Sequence, residues 1–93
     1  MKEKIRVHAI ISGRVQGVFF RMETKRAAQR FGVCGWVRNR RDGTVEALFE
    51  GDNHRVDAIV DWCKQGPPHA HVTDVKIDQR EYAGEFDSFE IKF

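Results

Sequence analysis

Residues 5–31, IRVHAIISGRVQGVFFRMETKRAAQRF, change their hydrophobic repeat from two residues to about 3.6 residues. At the start, alternate residues are apolar, which is typical of a strand with one buried face: Ile5, Val7, Ala9 and Ile11. From Phe20 to Phe31 the apolar residues recur at helical spacing, and Gly32 follows where a helix commonly ends. The stretch therefore predicts a strand, a glycine-containing turn over residues 13–19, and a helix.

The rest of the chain continues the alternation of strands and helices. Strands are predicted at residues 33–39, 44–50 and 71–82, and a short last strand carries Phe89, Ile91 and Phe93. A second helix is predicted to start at Asp52 or Asn53, to bury Val56, Ile59, Val60 and Cys63, and to stop at Gly66-Pro67-Pro68. Val72 and Val75 differ in parity, which predicts a bulge near Thr73-Asp74.

This order, βαββαβ plus a short C-terminal strand, predicts an α+β fold of the ferredoxin-like type. Two helices cover one face of an antiparallel sheet whose main strands lie in the order 4-1-3-2. In that arrangement the first and second strands run parallel, so their carboxyl ends lie at one edge. We expect residues 13–21 and 37–42 to be neighbours there, although they are far apart in sequence.

Bulk properties narrow the class of protein. The chain has 93 residues, which predicts one domain spanning 1–93, and its formal net charge of +2 gives no global argument for nucleic-acid binding. No window has the length of a membrane span, and no signal peptide is apparent, so a cytoplasmic location is expected. Cys34 and Cys63 form no CxxC motif, and we expect both to be buried small hydrophobic residues.

The turn at residues 13–19 has the chemistry of an anion cradle. Gly13 and Gly17 permit positive φ angles and close approach of a ligand to the backbone. The unpaired N–H groups of the following helix point toward the same place, and the helix dipole favours an anion there. Arg21 lies in the first helical turn, where its planar guanidinium suits two phosphate oxygens at once. A plain turn and a solvated arginine remain the alternative interpretation.

Asn39 ends the second strand at the same predicted edge. Its amide can accept a hydrogen bond from water while donating another, so it can orient a nucleophilic water, although asparagine before a turn is often only a turn former. The three neighbouring arginines add local positive potential that attracts anionic substrates: Arg38, Arg40 and Arg41.

Two segments, GRVQGVFFR (13–21) and GWVRN (35–39), followed by GTV (43–45) and Gly51, resemble the two signature motifs of the acylphosphatases. The resemblance extends over essentially the whole chain. It implies hydrolysis of the carboxyl–phosphate bond of acyl phosphates without a metal, a cofactor or a covalent phosphoenzyme. It also implies two catalytic residues, Arg21 and Asn39, and a set of phosphate-binding residues: Val15, Gln16, Gly17, Val18, Phe19, Phe20 and Arg21.

The expected partners follow from this resemblance. They are a small acyl phosphate substrate and inorganic phosphate or sulfate as product or inhibitor, with no nucleic acid, no membrane and a monomeric state. His69 and His71 lack a third ligand nearby, so no metal site is predicted. The alternative is a non-catalytic ferredoxin-like module that binds an anion or RNA, or a silent relative of the enzymes, since one fold serves many functions.

Overall fold

The structure is a computed structural model that describes residues 3–93. Its elements follow the predicted order: β1 (Lys4–Arg14), α1 (Phe20–Phe31), β2 (Cys34–Asn39), β3 (Val45–Asp52), α2 (Asn53–Gln65), β4 (His71–Arg80) and β5 (Phe89–Lys92). Gly13, which was predicted to lie in the turn after β1, instead belongs to β1 and pairs with β4. The strands form one five-stranded sheet in the order β4-β1-β3-β2-β5. The predicted order of the four main strands is confirmed.

The four main strands pair antiparallel, and β5 adds a parallel pair with β2 at the edge of the sheet. The predicted bulge is also present, because Ser12 pairs with Asp74 while Gly13 pairs with Val72. Thr73 is thereby left without an opposing residue. A β-carbon on Gly13 would overlap the carbonyl oxygen of His71, so only glycine fits against the bulge.

Both helices lie on the same face of the sheet and bury one apolar stripe each. The buried residues of α2 are those that its spacing predicted: Val56, Ile59, Val60 and Cys63. α1 contacts β2 and β5, whereas α2 contacts β1, β3 and β4. The Phe20 ring meets the Trp62 ring at 5.7 Å between centroids and joins the two helices. α1 ends at Gly32, as predicted, and Gly32 donates to the carbonyls of Ala28 and Gln29.

The two cysteines differ in environment. Cys63 is fully buried in the core, and burial raises the pKa of its thiol to about 12, so it behaves as a small apolar residue. Cys34 is only half-buried at the start of β2, which corrects the expectation that both are buried. It is less protected because it lies on the sheet face opposite the helices, where cover is partial.

Glu50 is the main departure from the sequence-based expectation for this fold. In the strand predicted at residues 44–50, alternation puts Glu50 on the face opposite Val45, Ala47 and Phe49, where a carboxylate is expected to be exposed. Glu50 is only 2% exposed. Its carboxylate accepts hydrogen bonds from the backbone N–H groups of Ala83, Gly84 and Glu85 and lies 3.6 Å from Arg6. The buried carboxylate of Glu50 therefore helps to hold residues 81–88 across the helix-free face of the sheet, together with the ion pair between Arg6 and Glu85. Leu48 is buried on this face.

We expect Glu50→Ala to lower the free energy of unfolding by about 3 kcal/mol, because it leaves three backbone donors without their acceptor. Arg6 loses one of its two carboxylate neighbours and keeps the other, Glu85. Urea unfolding followed by circular dichroism measures the change. Glu81→Ala is the control, because Glu81 is exposed in the same segment and its loss should cost less than about 0.5 kcal/mol. Equal stabilities of the two variants would contradict the anchoring role of Glu50.

Candidate active site

A cleft of about 350 Å³ opens at the edge of the sheet where α1 begins. Three separate parts of the chain contribute to it: the loop between β1 and α1 with the first turn of α1, the end of β2, and the end of β5. The lining residues are Val15, Gly17, Phe19, Phe20, Arg21, Met22, Asn39, Ile91 and Phe93. Arg21 and Asn39, which the sequence predicted to be neighbours, thus border the same cleft.

The pairing of β3 explains why these segments meet. Val45 at the start of β3 pairs with Ile11 on one side and with Asn39 on the other. Ile11 and Asn39 are therefore two strand spacings apart, which is about 10 Å. β5 runs parallel to β2 with Lys92 opposite Arg38, and this register brings Phe93 to the level of Asn39.

The loop at residues 15–19 is fixed at both ends by buried side chains, Val15 before it and Phe20 after it. Between these anchors, Gly17 has a φ angle of 74° and Phe19 has a φ angle of 61°. Residues 16 and 18 have ordinary negative φ angles, so the conformation alternates along the loop. Such alternation is the backbone pattern of anion-binding nests, in which successive N–H groups turn toward one concave side. Within residues 3–93, the N–H groups of residues 16–19 donate no backbone hydrogen bond.

The left-handed conformation of Phe19 is the feature of this loop that the sequence analysis missed. It is the only non-glycine residue of the described chain with a positive φ angle, and a left-handed L-residue costs about 1–2 kcal/mol. Gly17, in contrast, has the residue type that its conformation favours, and a β-carbon there would meet no atom within 4 Å. Backbone strain of this kind is concentrated at functional sites.

Gln16 and Val18 do not line the cleft. The side-chain amide of Gln16 donates to the backbone carbonyls of Arg40 at 2.7 Å and Thr44 at 2.9 Å, so it ties the loop to the turn between β2 and β3. Val18 packs against the hydrophobic core. Any contribution of these two residues to anion binding is thus through their backbone N–H groups, as the resemblance to the acylphosphatases implied.

The turn after Asn39 is itself well fixed. Arg40 N–H donates to the carbonyl of Thr44, and both the hydroxyl and the N–H of Thr44 donate to the carboxylate of Asp42. The hydrogen bond from the Thr44 hydroxyl, followed by that from its N–H, holds the pKa of Asp42 below its usual value. This turn and Gln16 together hold Asn39 at a fixed position relative to the loop.

Asn39 has an unused hydrogen-bond acceptor. Its Oδ1 atom is buried and has no hydrogen-bond partner within residues 3–93. Asn39 has the same parity as the buried Val37, so its side chain is on the helix side of the sheet, where α1 begins. Buried acceptors are nearly always paired in folded proteins, and an exception at a cleft indicates a place for a ligand or a water molecule.

Arg21 supplies the positive charge of the cleft. No carboxylate of the described chain lies within ion-pair distance of its guanidinium, whereas Arg6, Arg26 and Arg38 all have acidic partners. The contact of Arg21 is instead with the Phe93 ring, whose centroid lies 5.0 Å from the guanidinium carbon. An arginine without a carboxylate partner keeps its full charge and its donors for an incoming anion.

Three residues of the cleft were not predicted as site residues: Met22, Ile91 and Phe93. The sequence identified the last strand but did not indicate its place in the sheet. Phe93 reaches the cleft only because β5 pairs with β2, and Met22 reaches it because it follows Arg21 in the first turn of α1. The alternation of Phe89, Ile91 and Phe93 could have indicated this, because alternate residues share one face of a strand. If that face packs on the helices, Phe93 lies on the same side as α1.

The helix-free face of the sheet has a different character. A second cleft there is lined by paired charges, with His8 bonded to Glu46 at 2.6 Å and Arg38 bonded to the other oxygen of Glu46 at 2.6 Å. Burial alone raises the pKa of Glu46, but the hydrogen bonds from His8 and Arg38 outweigh it and hold that pKa below its usual value. Each arginine that lines this cleft has an acidic partner: Arg6 with Glu85, Arg38 with Glu46 and Arg80 with Asp78. These pairs leave little basic surface for a phosphate backbone, which does not favour the RNA-binding alternative.

No group of three or more His, Cys, Asp or Glu side chains in residues 3–93 is arranged to hold a metal ion. His69 and His71, whose side chains are exposed, belong to no such group. In the same residues, neither helix has the length and apolar character of a membrane span.

These features define a ferredoxin-like α+β domain with a cationic cleft at the carboxyl ends of two strands. A family model of the acylphosphatases matches residues 7–91. The chain belongs to the acylphosphatase family, as its motifs predicted, and is an enzyme of that family. It is 52% identical over 90 residues to an acylphosphatase of Pelotomaculum thermopropionicum, covering 97% of this chain and 98% of the relative. It is 53% identical over 88 residues to one of Syntrophus aciditrophicus, covering 95% and 92% of the two chains.

Solved structures of acylphosphatases have the same fold as this chain. The crystal structure of an acylphosphatase from Bacillus subtilis superposes with a TM-score of 0.92 at 35% identity, covering 96% of this chain and 99% of that chain. An acylphosphatase from Coxiella burnetii superposes with a TM-score of 0.91 at 30% identity, covering 96% and 93%. The ferredoxin-like fold predicted from the order of the elements is thereby confirmed.

The strain at Phe19 gives a prediction that does not depend on activity. Asparagine tolerates the left-handed region, whereas a β-branched residue there is a genuine outlier. We expect Phe19→Val to be less stable than Phe19→Asn by about 1 kcal/mol or more. Thermal and urea unfolding of the two variants measure the difference, and a valine variant as stable as the asparagine variant would show that the loop relaxes out of this conformation.

Proposed function

We propose that this protein hydrolyses acyl phosphates to a carboxylate and inorganic phosphate, with Arg21 and Asn39 as its catalytic residues. The observation that carries the proposal is the cleft itself. It is bordered by a guanidinium without a carboxylate partner and by a buried amide oxygen without a hydrogen-bond partner. One group suits the charge of a phosphate, and the other suits a hydrogen of a water molecule.

In the proposed mechanism, the phosphoryl group lies against the N–H groups of residues 15–20 and the guanidinium of Arg21. These donors neutralise the charge that spreads over the equatorial oxygens in the transition state. The helix dipole of α1 adds to the same effect, because the anion lies at its N-terminal end.

The attacking water is oriented by the Oδ1 atom of Asn39. The oxygen of the water attacks phosphorus, the bond between phosphorus and the acyl oxygen breaks, and the carboxylate leaves with the bonding electron pair. The proton of the water passes to a phosphate oxygen, since an amide is not a base at neutral pH. A carboxylate is already a good leaving group, so positioning and charge stabilisation account for most of the catalysis.

Neither a metal ion nor a cofactor takes part in this proposal, and metal independence stays a prediction from the resemblance. The monomeric state and the cytoplasmic location remain predictions from the sequence.

The primary test is phosphate release from benzoyl phosphate, measured with and without EDTA. We expect equal rates in the two conditions and competitive inhibition by inorganic phosphate or sulfate, because either anion occupies the position of the phosphoryl group. Absence of hydrolysis in both conditions would overturn the proposed activity. Hydrolysis that EDTA abolishes would overturn metal independence alone.

A second prediction concerns the geometry of Arg21. We expect Arg21→Lys to lose nearly as much activity as Arg21→Ala, because lysine keeps the charge but not the planar pair of donors. A charge-assisted hydrogen bond contributes about 1.5–3 kcal/mol, which is roughly a 10- to 150-fold loss in kcat/KM. The control is Arg26→Lys, an exposed position on the same helix. Near-normal turnover of Arg21→Lys would contradict two-point binding.

A third prediction separates chemistry from binding. We expect Asn39→Ala to lower kcat by about two orders of magnitude or more, which is the usual effect of removing one catalytic polar contact. The inhibition constant of inorganic phosphate should stay within about threefold of that of the parent. Arg21→Ala should worsen both quantities. If phosphate affinity falls with turnover in Asn39→Ala, the residue is a phosphate ligand rather than a water-orienting group. Circular dichroism confirms beforehand that the variant keeps its fold.

A further inference from the structure

The cleft has an apolar end that the proposed mechanism does not use. Five large hydrophobic residues of the described chain are substantially exposed, and three of them border this one cleft: Phe19 (76% exposed), Met22 (46%) and Phe93 (102%). The other two, Ile77 and Tyr82, lie elsewhere on the surface. Exposed apolar side chains that gather at one site mark a place where an apolar group binds.

The three side chains come from two unconnected parts of the chain. Phe19 and Met22 lie at the start of α1, two residues before and one residue after Arg21, and Phe93 follows β5. Ile91, which is half-buried, continues the apolar surface toward the core. The polar groups Arg21 and Asn39 thus lie among apolar side chains, which is the usual composition of a small-molecule site.

The size of the cleft limits what it can hold. About 350 Å³ lies at the lower end of the range for small-molecule pockets, so the cleft suits a compact ligand. A ligand whose phosphate binds at Arg21 has its acyl group no more than a few bonds away. That distance places the acyl group among Met22, Phe93 and Phe19.

A neighbouring cleft offers a contrasting choice. It shares Asn39 and Phe93 with the first cleft but is otherwise lined by charged residues, among them Arg38, Arg40 and Arg41. An acyl group carrying its own negative charge would be drawn to that side. The Phe93 ring therefore borders both clefts, one of which suits apolar acyl groups and the other acidic acyl groups.

We propose that Met22 and Phe93, together with Phe19, form the acyl subsite and make the enzyme selective for acyl phosphates with an apolar acyl group. This inference rests on the proposed function, because it assigns the acyl end of the same substrate. It names Met22 and Phe93 as specificity-determining residues, outside the group that holds the phosphate.

The test compares acetyl, butyryl and hexanoyl phosphate. Their carboxylate leaving groups are chemically alike, so differences in kcat/KM report binding of the chain rather than intrinsic reactivity. We expect kcat/KM to rise about tenfold or more from acetyl to hexanoyl phosphate. Each methylene group that enters an apolar pocket strengthens binding of the longer substrate in the transition state relative to the shorter one. Succinyl phosphate, which has an acidic acyl group, should be a poorer substrate than butyryl phosphate.

Met22→Ala and Phe93→Ala should each reduce the hexanoyl-to-acetyl ratio by about threefold or more. Met22→Ala should leave acetyl phosphate hydrolysis within about twofold of the parent. The Phe93 ring also contacts Arg21, so Phe93→Ala can change the binding of the phosphate as well. Such a change affects hexanoyl and acetyl phosphate equally and cancels in the hexanoyl-to-acetyl ratio of kcat/KM, which is therefore the quantity compared. Ile77→Ala and Tyr82→Ala are matched controls that remove exposed apolar groups elsewhere and should not change the ratio.

Three results would overturn the inference: a ratio near one in the parent, a ratio unchanged in both cleft variants, or a preference for succinyl phosphate over butyryl phosphate. A dimer in sedimentation velocity that Met22→Ala and Phe93→Ala both dissociate, with no dependence on chain length, would assign the apolar side chains to a contact between two copies instead.

Failure of the proposed function gives a different pattern, namely no hydrolysis of any of these acyl phosphates. The subsite is then tested by isothermal titration calorimetry with acetylphosphonate and hexanoylphosphonate, which need no turnover. Tighter binding of the hexanoyl compound that Met22→Ala weakens would support the subsite. Equal binding of the two compounds, or no binding of either, would overturn it.

Discussion

The pairing of β3 with both β1 and β2 is the constraint on which the rest of the structure depends. An antiparallel neighbour on each side forces β1 and β2 to run in the same direction. Their carboxyl ends then lie at one edge, and Val45 holds the two ends in register. The loop after β1 and the residue at the end of β2 become parts of one cleft, although 18 positions separate Arg21 from Asn39 in the sequence.

The same constraint explains how much the sequence could predict. Period-two and period-3.6 patterns are local, and they identified β1, α1 and the buried face of α2 before any coordinates. The connection rules then determine the order of the main strands, and that order was sufficient to bring Arg21 and Asn39 together. Residues whose position depends only on their own strand or helix, and on the order of strands, were therefore predictable.

The features that were missed depend on contacts between distant segments. Glu50 has the parity of a solvent-exposed residue, and only the later passage of residues 81–88 over it makes it buried. Phe93 belongs to a strand whose partner no local pattern specifies. Phe19 adopts a conformation that its residue type disfavours, because Val15 and Phe20 are buried on either side and the loop between them has few ways to close. Each case is a tertiary contact that overrides a local preference.

The net charge of +2 hides a difference between two surfaces of the fold, one with paired charges and one with an arginine that has no carboxylate partner among the described residues. On the helix-free face, Arg6 and Arg38 are paired with glutamates. Arg6 helps to attach residues 81–88 to the sheet, and Arg38 binds the carboxylate of Glu46. At the sheet edge, Arg21 has an aromatic ring where the others have a carboxylate. An aromatic face attracts the guanidinium without neutralising it, whereas a carboxylate would compete with the phosphate of a substrate. Phe93 can therefore keep Arg21 in place and leave it available, and the apolar surface that does so is the surface beside which an acyl group has to lie.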